Sequence, residues 1–416
     1  MRVLIVSAQF PYPPRSGFAM RVFHLARRLA ERHEVTLLSY ATTEEAAAGD
    51  GLAGPVRVVT VARDGASVRD KRVAQALSLA SPRPFSCRSV ESPAMQQAID
   101  ELCSRERFDV IQLETSLLCT FRFPSAARLV LDEHNIEYEV LRRTADGERS
   151  VTRRLFNRLE ATRYRRFEQR CWSRVDACMV TSDRELPIVH RYAGQIPVGV
   201  VPNGVDIEHF KPGAGDSRAR TVVFNGILTY RPNVDAAEHL VDEIWPLVLR
   251  RHPDARLTLV GRASEEDRRR LTRPGVEVTG EVPDVRPYLR EAAVVVVPVR
   301  IGGGTRLKVV EGLALGKAMV STSLGCEGID VRDGEHLLIA DGAERFASEV
   351  IGLFDDPAKG EELGRAGRAL VERAYSWDLI GRRMETVYAE MLLRTPRERP
   401  RRRSWLASGL PAGGKS

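Results

Sequence analysis

Short β-branched runs alternate with helix-period segments along nearly the whole chain, which confines it to the α/β class with parallel sheets. In the first half the predicted strands are Arg2–Ser7, Glu34–Ser39, Val56–Val61, Phe108–Leu113, Arg128–Asp132, Ala177–Thr181 and Gly199–Val201. Between the first two, Val22, Leu25, Ala26 and Leu29 follow a 3.6 period and predict a helix over Met20–Arg32. A turn-rich hinge, Pro202-Asn203-Gly204-Val205-Asp206, interrupts the series. The alternation then restarts with strands at Thr221–Asn225, Arg256–Val260, Val276–Gly280, Val294–Val299, Ala318–Ser321 and His336–Ile339. Helices are predicted at Asp235–Arg250, Arg306–Leu315 and Ala343–Phe354. Several strands are apolar throughout, as required when helices cover both faces of a sheet.

The reading is therefore two consecutive doubly wound domains, 1–200 and 201–376. A helix over 377–395 is expected to cross back to the first domain, and a basic tail, 396–416, to follow it. A length of 416 residues suits two such domains. By the switch-point rule, ligands are expected at the carboxyl ends of the strands, in a cleft between the domains.

Charge and cysteine usage narrow the class further. The chain carries 63 Lys+Arg against 56 Asp+Glu, a formal +7. Residues 1–200 hold 30 basic and 24 acidic side chains, 201–390 hold 26 and 31, and 391–416 hold 7 and 1. The excess belongs to the first half and the tail, so it does not read as a nucleic-acid footprint. Tyr164, Phe167 and Trp172 lie among many arginines of 153–174, and this basic helix is read with its aromatics in the core and its arginines solvated. It and the tail, with Arg401–Arg403 beside Trp405-Leu406, are also candidates for contact with an anionic membrane. No run approaches the roughly 18 apolar residues of a membrane span, and the N-terminus does not read as a secretory signal. Cys87, Cys103, Cys119, Cys171, Cys178 and Cys326 show no zinc-ligand spacing and read as free thiols of a reducing cytosol.

Chemistry concentrates in Ile301-Gly-Gly-Gly-Thr-Arg-Leu-Lys-Val-Val-Glu-Gly-Leu-Ala-Leu-Gly316. This stretch follows an apolar strand and opens a helix. Its glycines let backbone N–H groups approach a ligand, Thr305 suits an N-cap, and the helix start is partially positive. Leu307, Val310 and Ala314 form the predicted buried stripe, leaving Arg306, Lys308 and Glu311 to other faces. Lys308 and Glu311, one turn apart, can point the same way. A cationic glycine loop on a helix N-terminus is a diphosphate cradle, and a carboxylate one turn on can bind sugar hydroxyls. It is neither a Walker loop nor a GxGxxG loop.

With these residues in view, the chain resembles the retaining glycosyltransferases of family 4, which have the GT-B fold of two Rossmann-like domains facing a cleft. The resemblance covers roughly residues 1–395. It rests on Phe10-Pro-Tyr-Pro-Pro-Arg-Ser-Gly17, Asp132-Glu-His-Asn135, Val201-Pro-Asn-Gly-Val-Asp206 and Asn225-Gly-Ile-Leu-Thr-Tyr-Arg-Pro-Asn233, continuing through Leu259-Val-Gly-Arg262, Val278-Thr-Gly-Glu-Val282, Gly302–Ala314 and Glu327-Gly328. It is most similar to a bacterial subgroup with a Gly-Gly-Gly-Thr-Arg-Leu-Lys loop, found in polysaccharide and glycoconjugate pathways.

The resemblance implies a cytoplasmic enzyme, peripheral on the inner membrane face where its acceptor is lipid-linked. A nucleotide-diphosphate sugar is bound mostly by the second domain, and a hydroxyl acceptor (a glycan, a lipid-linked sugar or a small molecule) mostly by the first. Glu311 would hold the ribose hydroxyls, Arg306 and Lys308 would neutralise the diphosphate, and Gly280 to Val282 would lie beside the base. Asn225, Gly226, Gly303, Gly304 and Thr305 complete the implied donor site. Gly17 would approach phosphate or sugar from the first domain, and His134 would meet the donor sugar.

Two departures stand out. Gly303 occupies the position where many members carry a Glu that reaches the sugar. Ile227 and Arg231-Pro232 stand where many members carry an Arg and a Lys, so Arg231 or Arg262 is expected to help Arg306 and Lys308 supply charge. No metal or other cofactor is implied, since Arg and Lys take that role and no Asp-x-Asp occurs. A sugar-nucleotide 2-epimerase of the same architecture, or a non-catalytic partner subunit of another transferase, are the competing readings.

Overall fold

In a computed structural model the described residues are 1–47, 51–52, 54–63, 81–124, 126–148, 150–213 and 219–395. The basic tail read from the sequence, 396–416, lies outside them. The chain divides into two units, Met1–Val201 with the chain from Gly381, and Pro202–Ile380.

The first unit is built on strands β1 (Arg2–Ser7), β2 (Glu34–Ala41), β3 (Val56–Ala62), β4 (Val110–Leu113), β5 (Arg128–Glu133), β6 (Ala177–Val180) and β7 (Val198–Val200). They form one sheet in the order β3-β2-β1-β4-β5-β6-β7, with every pair parallel. The central strands β1, β4, β5 and β6 are buried almost end to end, as expected of strands covered on both faces. The order reverses between β1 and β4, so the switch-point crevice lies beyond Ser7 and Leu113.

The first crossover helix, α1 (Gly17–Ala30), starts three residues before the periodicity predicts, because the Ser16 hydroxyl accepts the Ala19 N–H at 3.2 Å. It buries Val22, Leu25, Ala26 and Leu29, and also Arg21, which is fully covered. The Arg21 guanidinium donates to both oxygens of Asp132 at 2.7 and 2.8 Å, pinning α1 to the end of β5. Two further helices, α2 (Glu137–Asp146) and α3 (Val151–Trp172), pack as a hairpin. Ile136 has no side chain to cap α2. The buried Glu168 carboxylate of α3 does so instead, accepting the N–H groups of Glu137 (2.8 Å) and Tyr138 (3.1 Å). Tyr164, Phe167, Cys171 and Trp172 turn into the core, and the Trp172 indole donates to Glu133 at 2.8 Å. Burial pushes the Glu133 carboxyl up to about 8 and holds Glu168 well above the usual range.

The second unit repeats the plan with β8 (Thr221–Asn225), β9 (Arg256–Val260), β10 (Val276–Gly280), β11 (Val294–Val297), β12 (Ala318–Ser321) and β13 (Leu338–Ile339), in the order β10-β9-β8-β11-β12-β13. Its switch point lies between β8 and β11. The β11 ladder stops at Val297, short of the predicted Val299, because Pro298 has no N–H to offer. The helix predicted over Asp235–Arg250 starts earlier, at Arg231, and is split. A single wide π turn at Leu240–Ile244 precedes Trp245–Arg251, and Pro246, unable to donate, sits at the restart. At the carboxyl side of β11 the helix α4 (Leu307–Ala314) begins.

The last helix, α5 (Trp377–Leu392), is shared. Its first turn belongs to the second unit, which runs to Ile380 rather than residue 376. The Trp377 ring lies so close to Gly204 of the hinge that a Cβ there would approach within 2.8 Å. From Gly381 it belongs to the first unit. Glu385 meets Arg32 (3.0 Å) and His33 (3.1 Å), Val387 fills the space a Cβ of Gly199 would need, and the Tyr388 hydroxyl donates to Gln112. All six cysteines are free thiols, five of them buried.

Replacing Arg21 by Met leaves Asp132 buried without its guanidinium partner. The expected loss is about 3–5 kcal/mol, read as a lowered thermal midpoint of the first unit. The double variant Arg21→Met/Asp132→Leu should recover much of it, because no lone charge then remains.

Candidate functional site

The loops at the carboxyl ends of β8, β9, β10 and β11 meet at the second switch point. Backbone bonds tie three of them together: Gly226 N–H to the Val260 carbonyl (2.9 Å), Leu228 N–H to that of Arg262 (2.8 Å), and Gly261 N–H to that of Gly280 (3.1 Å). Gly261 (φ +143°) lies over the Gly226 carbonyl, where a Cβ would come within 2.0 Å, so only glycine permits this contact. Asn225, Gly226, Gly280 and the 301–306 loop thus share one edge of one sheet. Arg231, Arg262 and Val282 lie at the same edge, the two arginines exposed and Val282 half-buried against the core.

Lys308 and Glu311 stand in the first turns of α4. Glu311 is buried at 8% exposure and Lys308 is half-buried. The Lys308 ammonium donates to Asn233 Oδ1 at 3.0 Å and sits 4.2 Å above the centre of the Phe224 ring. A Cβ on Gly226 would lie 2.7 Å from Nζ, so this glycine makes room for the lysine. Burial, and then the neighbouring Arg306 charge, bring Lys308 down to about 7, against the pull of Glu311. Burial raises Glu311 to about 7, opposed by Lys308 and by a hydrogen bond from Asn225. A half-buried cation and a buried carboxylate therefore sit one turn apart, each shifted toward neutrality. The other amide atom of Asn225, Oδ1, is buried without a partner.

Two predicted details are corrected. Thr305 does not cap α4: the helix starts one residue later, with extended Arg306 in the cap position, and Thr305 Oγ1 is buried without a hydrogen bond. Arg306 folds back on its own loop, its guanidinium donating to the carbonyls of Gly303 and Gly304, with Gly302 at φ +112° beside it. Three carbonyl-rich glycines give a guanidinium acceptors at no steric cost, which the helical spacing alone did not reveal.

In the first unit His134 follows β5. Its Nε2 lies 3.0 Å from Glu114 Oε2 and 3.7 Å from Asp132, and its ring stacks on Phe18 at 4.6 Å. Phe18 adjoins Gly17, so both predicted residues of this unit lie at its switch point. Glu114 also accepts from Gln112 Nε2 at 2.6 Å, and Gln112 accepts from Tyr388. Glu114, Asp132 and His134 bring ligand atoms within 4.8 Å of one another, the spacing of a metal cluster. Asp132 is already held by both arms of Arg21 and Glu114 by Gln112, so the trio serves here as an ion-pair network. Phe224, Asn233 and Glu114 were given no role by the sequence. Each sits at or just past a strand end, or one turn into the next helix, where the switch-point rule directs attention.

Comparison with known proteins fits this geometry. Residues 15–209 match the family model described as Glycosyltransferase Family 4, and residues 219–356 the model described as Glycosyl transferases group 1. A GDP-mannose-dependent monoacylated alpha-(1-6)-phosphatidylinositol monomannoside mannosyltransferase of Corynebacterium glutamicum is 26% identical over 208 residues, 45% of this chain and 55% of that protein. A phosphatidyl-myo-inositol mannosyltransferase of Mycobacterium tuberculosis is 29% identical over 204 residues, 45% of this chain and 53% of that protein. The chain spans about half the length of the curated relatives it matches. Among solved structures, sucrose-phosphate synthase from Thermosynechococcus elongatus matches with a TM-score of 0.69 and 18% identity over 94% of this chain and 99% of that one. Anabaena HepE in complex with UDP-glucose matches with a TM-score of 0.64 and 14% identity over 94% and 100%. The fold is GT-B, and each unit matches a glycosyltransferase family model.

The pair at α4 imposes a pH signature. Glu311 favours the folded state at low pH, and that advantage is lost as pH rises from 4.5 through about 7. The Lys308 advantage is present above 10.5 and is lost as pH falls through about 7. Thermal stability should therefore dip near pH 7, by on the order of 2 kcal/mol. The variant Lys308→Met/Glu311→Gln should flatten that dip; an unchanged profile would contradict the burial described.

Proposed function

We propose that the protein is a retaining, metal-independent glycosyltransferase. It moves a sugar from a nucleoside-diphosphate sugar to a hydroxyl acceptor in bacterial polysaccharide, glycolipid or other glycoconjugate biosynthesis, in contact with an anionic membrane. The observation that carries the reading is the Lys308–Glu311 pair at the start of a helix, at the switch point of a parallel sheet and beside the Gly303-Gly304 loop.

Departure of a nucleoside diphosphate builds negative charge on its oxygens, and fixed cations with helix-start N–H groups stabilise it. Lys308, held by Asn233 and Phe224, becomes fully protonated when a diphosphate enters. Arg306 exchanges the carbonyls of Gly303 and Gly304 for the phosphate, since charge-assisted bonds are the stronger. Glu311, oriented by Asn225, receives the ribose hydroxyls, with Gly280 and Val282 beside the base. Arg231 and Arg262, exposed at the same edge, add positive potential. In the first unit, His134, fixed by Glu114 and Phe18 next to Gly17, meets the donor sugar and acceptor. The attacking hydroxyl enters on the face the diphosphate leaves, so the anomeric configuration is kept without a protein nucleophile. The share of sequence matched with the mannosyltransferases supports a sugar-nucleotide donor and a lipid-linked acceptor as the first to test.

An anion placed beside Lys308 and Glu311 raises both pKa values. Nucleoside-diphosphate binding at pH 7–8 should therefore take up protons, seen as a calorimetric heat that changes with the ionisation enthalpy of the buffer. Lys308→Ala and Glu311→Ala should each weaken that binding strongly. Arg306→Ala should slow transfer by about 100-fold, by analogy with oxyanion donors. Unaltered nucleotide-sugar affinity in the Lys308 and Glu311 variants would sink the assigned donor site. Inverted product stereochemistry by NMR, activity abolished by a chelator, or epimer formed from donor alone would each sink the corresponding part of the reaction.

A further inference from the structure

The α2–α3 hairpin carries a surface that its packing does not explain. Along α3, Val151, Leu155 and Leu159 recur every four residues, so they share one face, and they are 64%, 61% and 39% exposed. Among the described residues no other helix leaves three large apolar side chains in solvent. The core of the unit is served by the opposite face, through Tyr164, Phe167, Cys171 and Trp172.

The charges that α3 itself exposes around this stripe all have one sign, with Asp146 of α2 the acidic neighbour that Arg158 reaches. Helix α3 contains two carboxylates, and both turn inward: Glu160 is buried and paired with Arg163 at 2.9 Å, and Glu168 caps α2. Its exposed face carries Arg158, Arg165, Arg166 and Arg170. Arg158 follows Leu155 by three positions and Arg166 follows Leu159 by seven, so cations and apolar groups occupy one sector. Arg158 reaches Asp146 at 3.4 Å, while Arg165, Arg166 and Arg170 make no ion pair among the described residues.

We propose that this face of α3 lies on an anionic lipid bilayer, Val151, Leu155 and Leu159 entering the acyl boundary while the arginines engage lipid phosphates. Apolar side chains ringed by cations of one sign match the headgroup–acyl boundary of such a bilayer. Among the described residues no helix is long and apolar enough to cross a membrane, so the contact is along the surface. A second copy is disfavoured, because a symmetric pairing of this face sets arginine against arginine. The inference rests on the membrane contact in the proposed function and assigns it to particular residues.

Flotation with phosphatidylcholine vesicles, with and without phosphatidylglycerol, tests it. The wild-type chain should bind only the anionic vesicles, less at high salt. Leu155→Ser/Leu159→Ser should lower the partition coefficient by about tenfold or more, and Arg165→Gln/Arg166→Gln by about fivefold per arginine. All variants should keep wild-type nucleotide-sugar affinity and thermal midpoint, which shows that they fold. If the wild type fails to float even at low salt, the membrane reading falls and this assignment with it. If it floats and the variants float equally well, only the assignment is overturned. A dimer that the leucine variants dissociate, with vesicle binding unchanged, would give the face to a second copy and overturn the assignment as well.

Discussion

Every strand pair in both sheets is parallel, and that constraint organises everything else in the molecule. A parallel strand can be followed by another only after the chain has crossed a face of the sheet, so each strand delivers its carboxyl end to the same edge. Polar chemistry collects there because the strand interiors are mostly valine and leucine, and polar residues such as Asp132, Glu133 and Asn225 stand at their last positions. In each unit the edge opens where the strand order reverses, and the polar clusters described above lie at those two points.

The two clusters manage buried charge differently. In the first unit the arrangement is closed on itself: Arg21 answers Asp132, and Tyr388, Gln112, Glu114 and His134 form one hydrogen-bonded line from α5 to the end of β5. In the second unit half-buried Lys308 and buried Glu311 make no direct ion pair and are held by an aromatic face and by two amides. A satisfied network is rigid; an unsatisfied one retains free energy that a charged ligand can recover. The second arrangement carries the larger cost to stability.

Strand positions and the double α/β plan were legible because buried parallel strands are largely apolar, and five of the thirteen strands, β1, β8, β9, β10 and β12, have the bounds read from the sequence. Local breaks were less legible. The end of β11 and the wide turn at Leu240–Ile244 both follow from prolines whose missing N–H matters only once the neighbouring element is known. Lys308 and Glu311 were legible as a motif, but their burial was not, since it depends on Phe224, Asn225 and Asn233 some eighty residues earlier in the chain. Thr305 misled because a threonine ahead of a helix is ordinarily a cap; here the backbone becomes helical one residue later. The apolar stripe on α3 was hidden among arginines, since the sequence does not say which of two possible faces the core takes.

The division of α5 between the units bears on how the chain is made. Synthesis releases Pro202–Ile380 in full before the segment from Gly381 that completes the first unit. A nascent chain therefore holds a finished second unit while the first still lacks Val387 against Gly199 and Tyr388 against Gln112. The usual order of folding, amino-terminal domain first, is inverted at its last step. The Tyr388 end of the hydrogen-bonded line to His134 cannot form until the last described helix has emerged.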